Sequence, residues 1–174
     1  MANTYTLIAS NTISTPSYSV TFSSIPQTYT DLKLVFSARS DYGSAGGSEV
    51  SIQLNSITSG YTSSMIYTNS GTSVSSATSS NPFFTWGGGM VNTSSTANIF
   101  ANSELYIPNY TLSRAKSAVT DSMTENNGSA IFGQIVAHQS TNTAAVDSIT
   151  IYAWQSFIKF VANSTFYLYG VSNA

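Results

Sequence analysis

Apolar and polar residues alternate with a period of two through much of this chain. In Asp31-Leu32-Lys33-Leu34-Val35-Phe36-Ser37-Ala38-Arg39 the even positions are apolar, while Lys33, Ser37 and Arg39 point the other way and Val35 is the exception. That pattern marks a strand with one buried face. Residues 50–54, 148–154 and 165–171 repeat it, the last with tyrosines filling its second face. Further strands are expected at 5–10, 18–22, 63–68, 98–107, 118–123 and 130–138. Turn signals separate them: Ser24-Ile25-Pro26, residues 43–47, Asn69-Ser70-Gly71, Pro108-Asn109, Asn126-Asn127-Gly128 and Ala162-Asn163-Ser164. No segment has the helical period of 3.6, and neither heptads nor a long repeat occurs. The expected architecture is all-β: one antiparallel β-sandwich domain over residues 1–174, jelly-roll-like, with about 8–10 strands.

Two stretches break the alternation. Residues 72–81 are nearly all serine and threonine and read as a long exposed loop, part of a Ser/Thr-rich loop at 69–82. Pro82-Phe83-Phe84-Thr85-Trp86-Gly87-Gly88-Gly89-Met90-Val91 then joins bulky rings to three consecutive glycines, which permit a bulge or the close approach of another backbone. It reads either as a core strand ending in a flexible turn or as an aromatic loop that docks on a partner.

Composition strengthens the β reading. Of 174 residues, 33 are serine, 22 threonine and 14 asparagine, side chains that suit sheet faces and turns and weaken helix interiors. Net charge is only -2, so little repulsion keeps copies apart. The basic residues Lys33, Arg39, Arg114, Lys116 and Lys159 are scattered, not clustered as phosphate binding requires, so no nucleic-acid partner is expected. There is no cysteine, which excludes disulfides and thiol chemistry. The start lacks a signal-peptide pattern and no apolar run approaches membrane-spanning length, so synthesis in a host cytoplasm and no membrane partner are expected. The sequons at Asn92, Asn109, Asn127 and Asn163 are then accidents of composition.

Candidate chemistry is thin. A Ser-His-Asp triad would have to use His138, the single histidine, which sits at the expected end of a strand and reads as structural or solvated. Asp121 and Glu125 are read as solvated charges around a turn rather than as a glycosidase pair. Asp41 and Glu49 flank a glycine-rich loop and are the one short-range calcium candidate, while the loop lacks the ending of a phosphate loop. Trp86 and Trp154 are candidates for stacking on sugar rings, but the stronger reading is a sheet or interface role, since Trp154 sits in an alternating strand. No catalytic residue, metal ligand or cofactor is expected.

Several phrases are familiar in order: Thr4-Tyr5-Thr6-Leu7-Ile8-Ala9-Ser10, residues 19–32, Ser95-Thr96-Ala97-Asn98, Tyr106-Ile107-Pro108-Asn109-Tyr110 and residues 164–171. Across nearly the whole chain the sequence resembles small β-sandwich structural proteins of tailed phages, notably cyanophages and other marine phages. The resemblance implies a virion component on one of two stations. One is a capsid cement or decoration protein on the outer head, commonly a homotrimer, bridging neighbouring major capsid protein subunits. The other is a tail-fibre or fibre-tip module that binds host-surface glycan. Absence of heptads or a repetitive shaft favours cement, with weak contacts multiplied over several sites. The interface is expected among Phe83, Phe84, Trp86, Met90, Tyr106 and Tyr110.

Overall fold

Each alternating stretch becomes a strand, because pairing satisfies its backbone groups while its apolar face is buried. In a computed structural model of the protein, residues 4–43, 48–69, 73–125 and 131–172 are described, so most of the turn signals at 43–47, 69–71 and 126–128 lies outside them. The strands are β1 (Tyr5–Thr12), β2 (Ser19–Phe22), β3 (Asp31–Ala38), β4 (Ser48–Leu54), β5 (Tyr61–Asn69), β6 (Ser73–Asn81), β7 (Phe84–Met90), β8 (Ala101–Ile107), β9 (Lys116–Glu125), β10 (Ile131–Ser140), β11 (Ile149–Ala153) and β12 (Thr165–Val171). Three of the expected turns hold a residue in the left-handed region: Ser24 (φ 55°), Asn109 (φ 51°) and Asn163 (φ 71°).

The strands form an eight-stranded sheet, β1-β12-β3-β8-β9-β10-β5-β6, and a four-stranded one, β2-β11-β4-β7, antiparallel throughout. Eight of the strands follow one rule. β1 pairs with β12, β2 with β11, β3 with β8, and β4 with β7, as when a single long hairpin is rolled up. That is jelly-roll connectivity. The other four are two hairpins, β5–β6 between β4 and β7, and β9–β10 between β8 and β11. Both add to the same edge and widen one sheet beyond the other.

The loop expected at 69–82 is therefore corrected: Ser73–Asn81 is strand β6, paired with β5 along its whole length. It carries no hydrophobic alternation because it is the outermost strand and almost every position is exposed. Asp121 and Glu125, expected around a turn, lie together in β9.

Between the two sheets Phe36 stacks on Phe166 (5.6 Å between ring centroids), and Phe160 meets Phe166 edge-on at 4.9 Å. Leu34, Val50, Ile52, Leu54, Ile149 and Ile151 complete this layer, each essentially inaccessible. Burying such a side chain contributes roughly 1.5–3 kcal/mol. Two cations are buried as well. Arg39 donates to the carbonyls of Thr96 (2.8 Å), Ile99 (3.0 Å) and Ser95 (3.0 Å), and Lys116 to those of Leu112, Arg114 and Thr143. Each pins a loop and leaves less positive charge for the surface.

β7 is the seam of the molecule. It pairs with β4 in the small sheet and its backbone lies against the inner face of the wide one. The amide of Gly89 donates to Ser122 Oγ (2.7 Å) and Ser103 Oγ (3.1 Å). A side chain at Gly87, Gly88 or Gly89 would collide with Ile52, Phe36 and Ser103, or Thr124 and Ser122. The three glycines thus serve close backbone approach, and the run is a core strand.

Candidate interaction face

The inserted hairpins bury polar side chains beside apolar ones such as Tyr61, Met65 and Val136. In β9 the inward residues are Thr120, Ser122 and Thr124, all buried, while Val119 and Met123 face outward. In β10 Gln134 and His138 point in and Ile135 points out; in β5 Ser63 points in and Ile66 out. Three of these inner groups meet the polar backbone of β7: Ser122 accepts the Gly89 amide, Thr120 donates to the Gly87 carbonyl and Gln134 to that of Trp86, while the Thr124 hydroxyl donates to Phe132 in its own sheet. The outer apolar groups have no such partner.

Strand register joins these outward residues into one surface. Ile66, Ile135, Asp121, Glu104, Val35 and Tyr167 are successive cross-strand partners, and the next row runs Val119, Tyr106, Lys33, Tyr169, Leu7. Of the eleven large hydrophobic residues exposed among the described residues, seven lie on this face: Tyr5, Leu7, Ile66, Val74, Val119, Met123 and Ile135. Val74 is 74% exposed, and Ile66, Met123 and Ile135 are 61% each. These four ring an open groove of about 370 Å³ whose floor includes Gly133. Scattered single hydrophobics on a surface are ordinary, whereas a contiguous patch marks a contact.

Charge on the face is one lysine and two neighbouring carboxylates, Glu104 and its register partner Asp121. Lys33 and Glu104 form an ion pair at 2.7 Å, and the Lys33 ammonium also lies 5.8 Å from the Tyr5 ring centroid. The Tyr106 hydroxyl donates to Asp31, whose other carboxylate oxygen accepts the Asn109 amide (2.7 Å). Burial and this carboxylate push the Tyr106 hydroxyl up to about 12, so it stays a neutral donor. Such a wall, flat and low in charge, suits a protein surface of like character.

Three of the expected interface residues are corrected. Phe84, Met90 and Tyr110 have no accessible surface. Phe84 sits edge-on to Tyr61 at 5.0 Å and against His138 at 4.8 Å, and the Tyr110 hydroxyl donates to the Pro26 carbonyl. They are hydrophobic enough to fill the core, and β7 carries two of them there. Phe83 is half-buried against Tyr152 (5.5 Å), and half-buried Trp86, strained at φ 59°, hydrogen-bonds to Glu49. Tyr106 alone of the six lies on the wide outer face.

The remaining chemical candidates separate. His138 is buried, with Nδ1 2.9 Å from Ser63 Oγ and Nε2 2.9 Å from Thr120 Oγ1. Both ring nitrogens are occupied by hydroxyls, not by the carboxylate a triad uses to orient its histidine. Burial lowers its pKa to about 3. Asp41 accepts the Lys159 amide at 2.8 Å, and Glu49 meets Trp86, so the two acids are engaged apart. Burial raises the Glu49 carboxyl to about 7. A second aromatic group stands away from the wall: Tyr42 meets Trp154 at 6.4 Å and Phe157 at 6.5 Å, with Trp154 and Phe157 both exposed.

No protein-family model matches this chain, and neither a curated protein nor a solved structure matches it.

Proposed function

We propose that this chain is a virion structural protein of a tailed phage, a cement protein that lays the outer face of its wide sheet on neighbouring capsid subunits at the outside of the head. The observation that carries this reading is the contiguous apolar wall formed by the two inserted hairpins. The sequence resemblance supplies the setting, including a homotrimer as the working assembly. Burying the wall removes apolar area from water, and expansion of the shell would have to expose it again. An interface of standard size takes about 800 Å² from each partner. Many copies, each weakly held at several points, then reinforce the shell together.

A second reading is a fibre-tip module that binds glycan, favoured by the exposed rings of Trp154 and Phe157 beside Tyr42. Particle location separates the two. Cement predicts several hundred copies on the head, lost when Ile66→Lys and Ile135→Lys are combined. Burial of the exposed part of the two isoleucines is worth roughly 2–4 kcal/mol, so affinity should fall about 30-fold or more. A handful of copies on the tail, with attachment unchanged in that double variant, would contradict the cement reading, and binding on a glycan array would then support the second.

A further inference from the structure

Sheet edges expose unpaired backbone groups, and proteins blunt them with bulges, proline, lysine or short length. Among the described edges, β1 carries a bulge between Leu7 and Ala9, and β2 has only four residues. β7 has an irregular register with β4 and is mostly buried. β6 has none of these defences. Its nine residues pair with β5 without a register shift, it contains no proline or charged residue, and its positions are nearly all exposed on both faces. It is long, regular and open.

We infer that β6 is a self-docking edge at which a second copy of this chain adds its own β6 antiparallel, about a twofold axis. The side chains fit this occupant. Centred on Ala77, the pairing sets Ser76 opposite Thr78 and Ser75 opposite Ser79, so small side chains meet throughout and nothing bulky stands in the way. Neither β5 nor β6 bears a charge, so two copies approach without like-charge repulsion along this edge. The pairing also continues the apolar wall: Val74 of each copy falls next to Ser80 of the other, and the two grooves at Val74, Met123 and Ile135 come to lie in one surface. One strand pair is small against the roughly 1,600 Å² of a stable complex, so the contact is weak in dilute solution and strengthens where copies are crowded. It stands whether or not the wall docks on a capsid.

The chain contains no cysteine, so an introduced one reports its own contacts. Under mild oxidation Ala77→Cys should give a disulfide-linked dimer at least tenfold faster than Thr21→Cys, an exposed control on the small sheet. Cross-strand Cα separations of about 4.5–5.5 Å fall inside the range a disulfide spans. Adding Ser76→Lys to Ala77→Cys should reduce crosslinking at least tenfold, whereas adding Ile135→Lys should leave it unchanged. Equal rates for Ala77→Cys and Thr21→Cys would overturn the inference. So would loss of crosslinking with Ile135→Lys, which would mean that copies meet face to face.

Discussion

Gly88→Val should destabilise the fold by about 3 kcal/mol or more, the upper end of what overpacking a core costs. A Cβ at this position would stand 2.3 Å from Phe36 Cζ and 2.8 Å from Ser103 Oγ. Phe36 cannot withdraw, because it is 1% exposed and stacked on Phe166. Nor can β7 lift away cheaply. Doing so strips the Gly89 amide of both its acceptors, at about 1–3 kcal/mol for an unsatisfied buried group, and leaves Ser103 and Ser122 only each other. Chemical denaturation of Gly88→Ala gives the graded test, with a smaller loss of about 2 kcal/mol. A loss under 0.5 kcal/mol in both variants would mean that β7 does not rest directly on the wide sheet.

The second large effect is on pH dependence, and between pH 4.5 and 6.5 it appears only when one of two compensating groups is removed. His138 is neutral in the folded chain down to about pH 3 and charges near 6.5 when unfolded. Its contribution is therefore present above pH 6.5 and lost progressively as pH falls toward 3, at about 1.4 kcal/mol per unit. Glu49 keeps its proton in the folded chain to about pH 7 and loses it near 4.5 when unfolded. Its contribution is present below 4.5 and lost as pH rises to 7. Between 4.5 and 6.5 the slopes oppose and cancel. Glu49→Gln should expose the histidine slope, with stability falling by about 3 kcal/mol from pH 6.5 to 4.5. His138→Gln should show the reverse slope over the same interval. Denaturant midpoints measured at half-unit steps check both, and a Glu49→Gln profile as flat as the parent's would contradict the opposition.

The alternating strands were legible because a period of two, once one face is buried, leaves little freedom in the pattern. The strand at Thr165–Val171 coincides with its expected bounds, and Asp31–Ala38 differs by one residue. β6 escaped because an edge strand exposed on both faces has no apolar face to reveal it, and its serines look like a loop. The interface expectation went astray for a related reason. Phe84, Met90 and Tyr110 are as apolar as any docking residue, and only topology says that β7 lies between the sheets. The wall itself left one signal, in β9, where Val119 and Met123 alternate with Thr120, Ser122 and Thr124. Periodicity marks two faces without saying which is inside. Here the bare backbone at Gly89 takes the hydroxyls of Ser103 and Ser122 beneath it, which puts the polar positions of β9 inside.

Methionine oxidation tests the central claim most directly, because Met123 lies on the wall at 61% exposure while Met65 and Met90 are buried. In the free chain Met123 should oxidise well before those two, and on intact particles it should be protected at least tenfold. Oxidation of Met123 on particles at the rate of the free chain would mean that the wide apolar face is not what holds this protein to its neighbours.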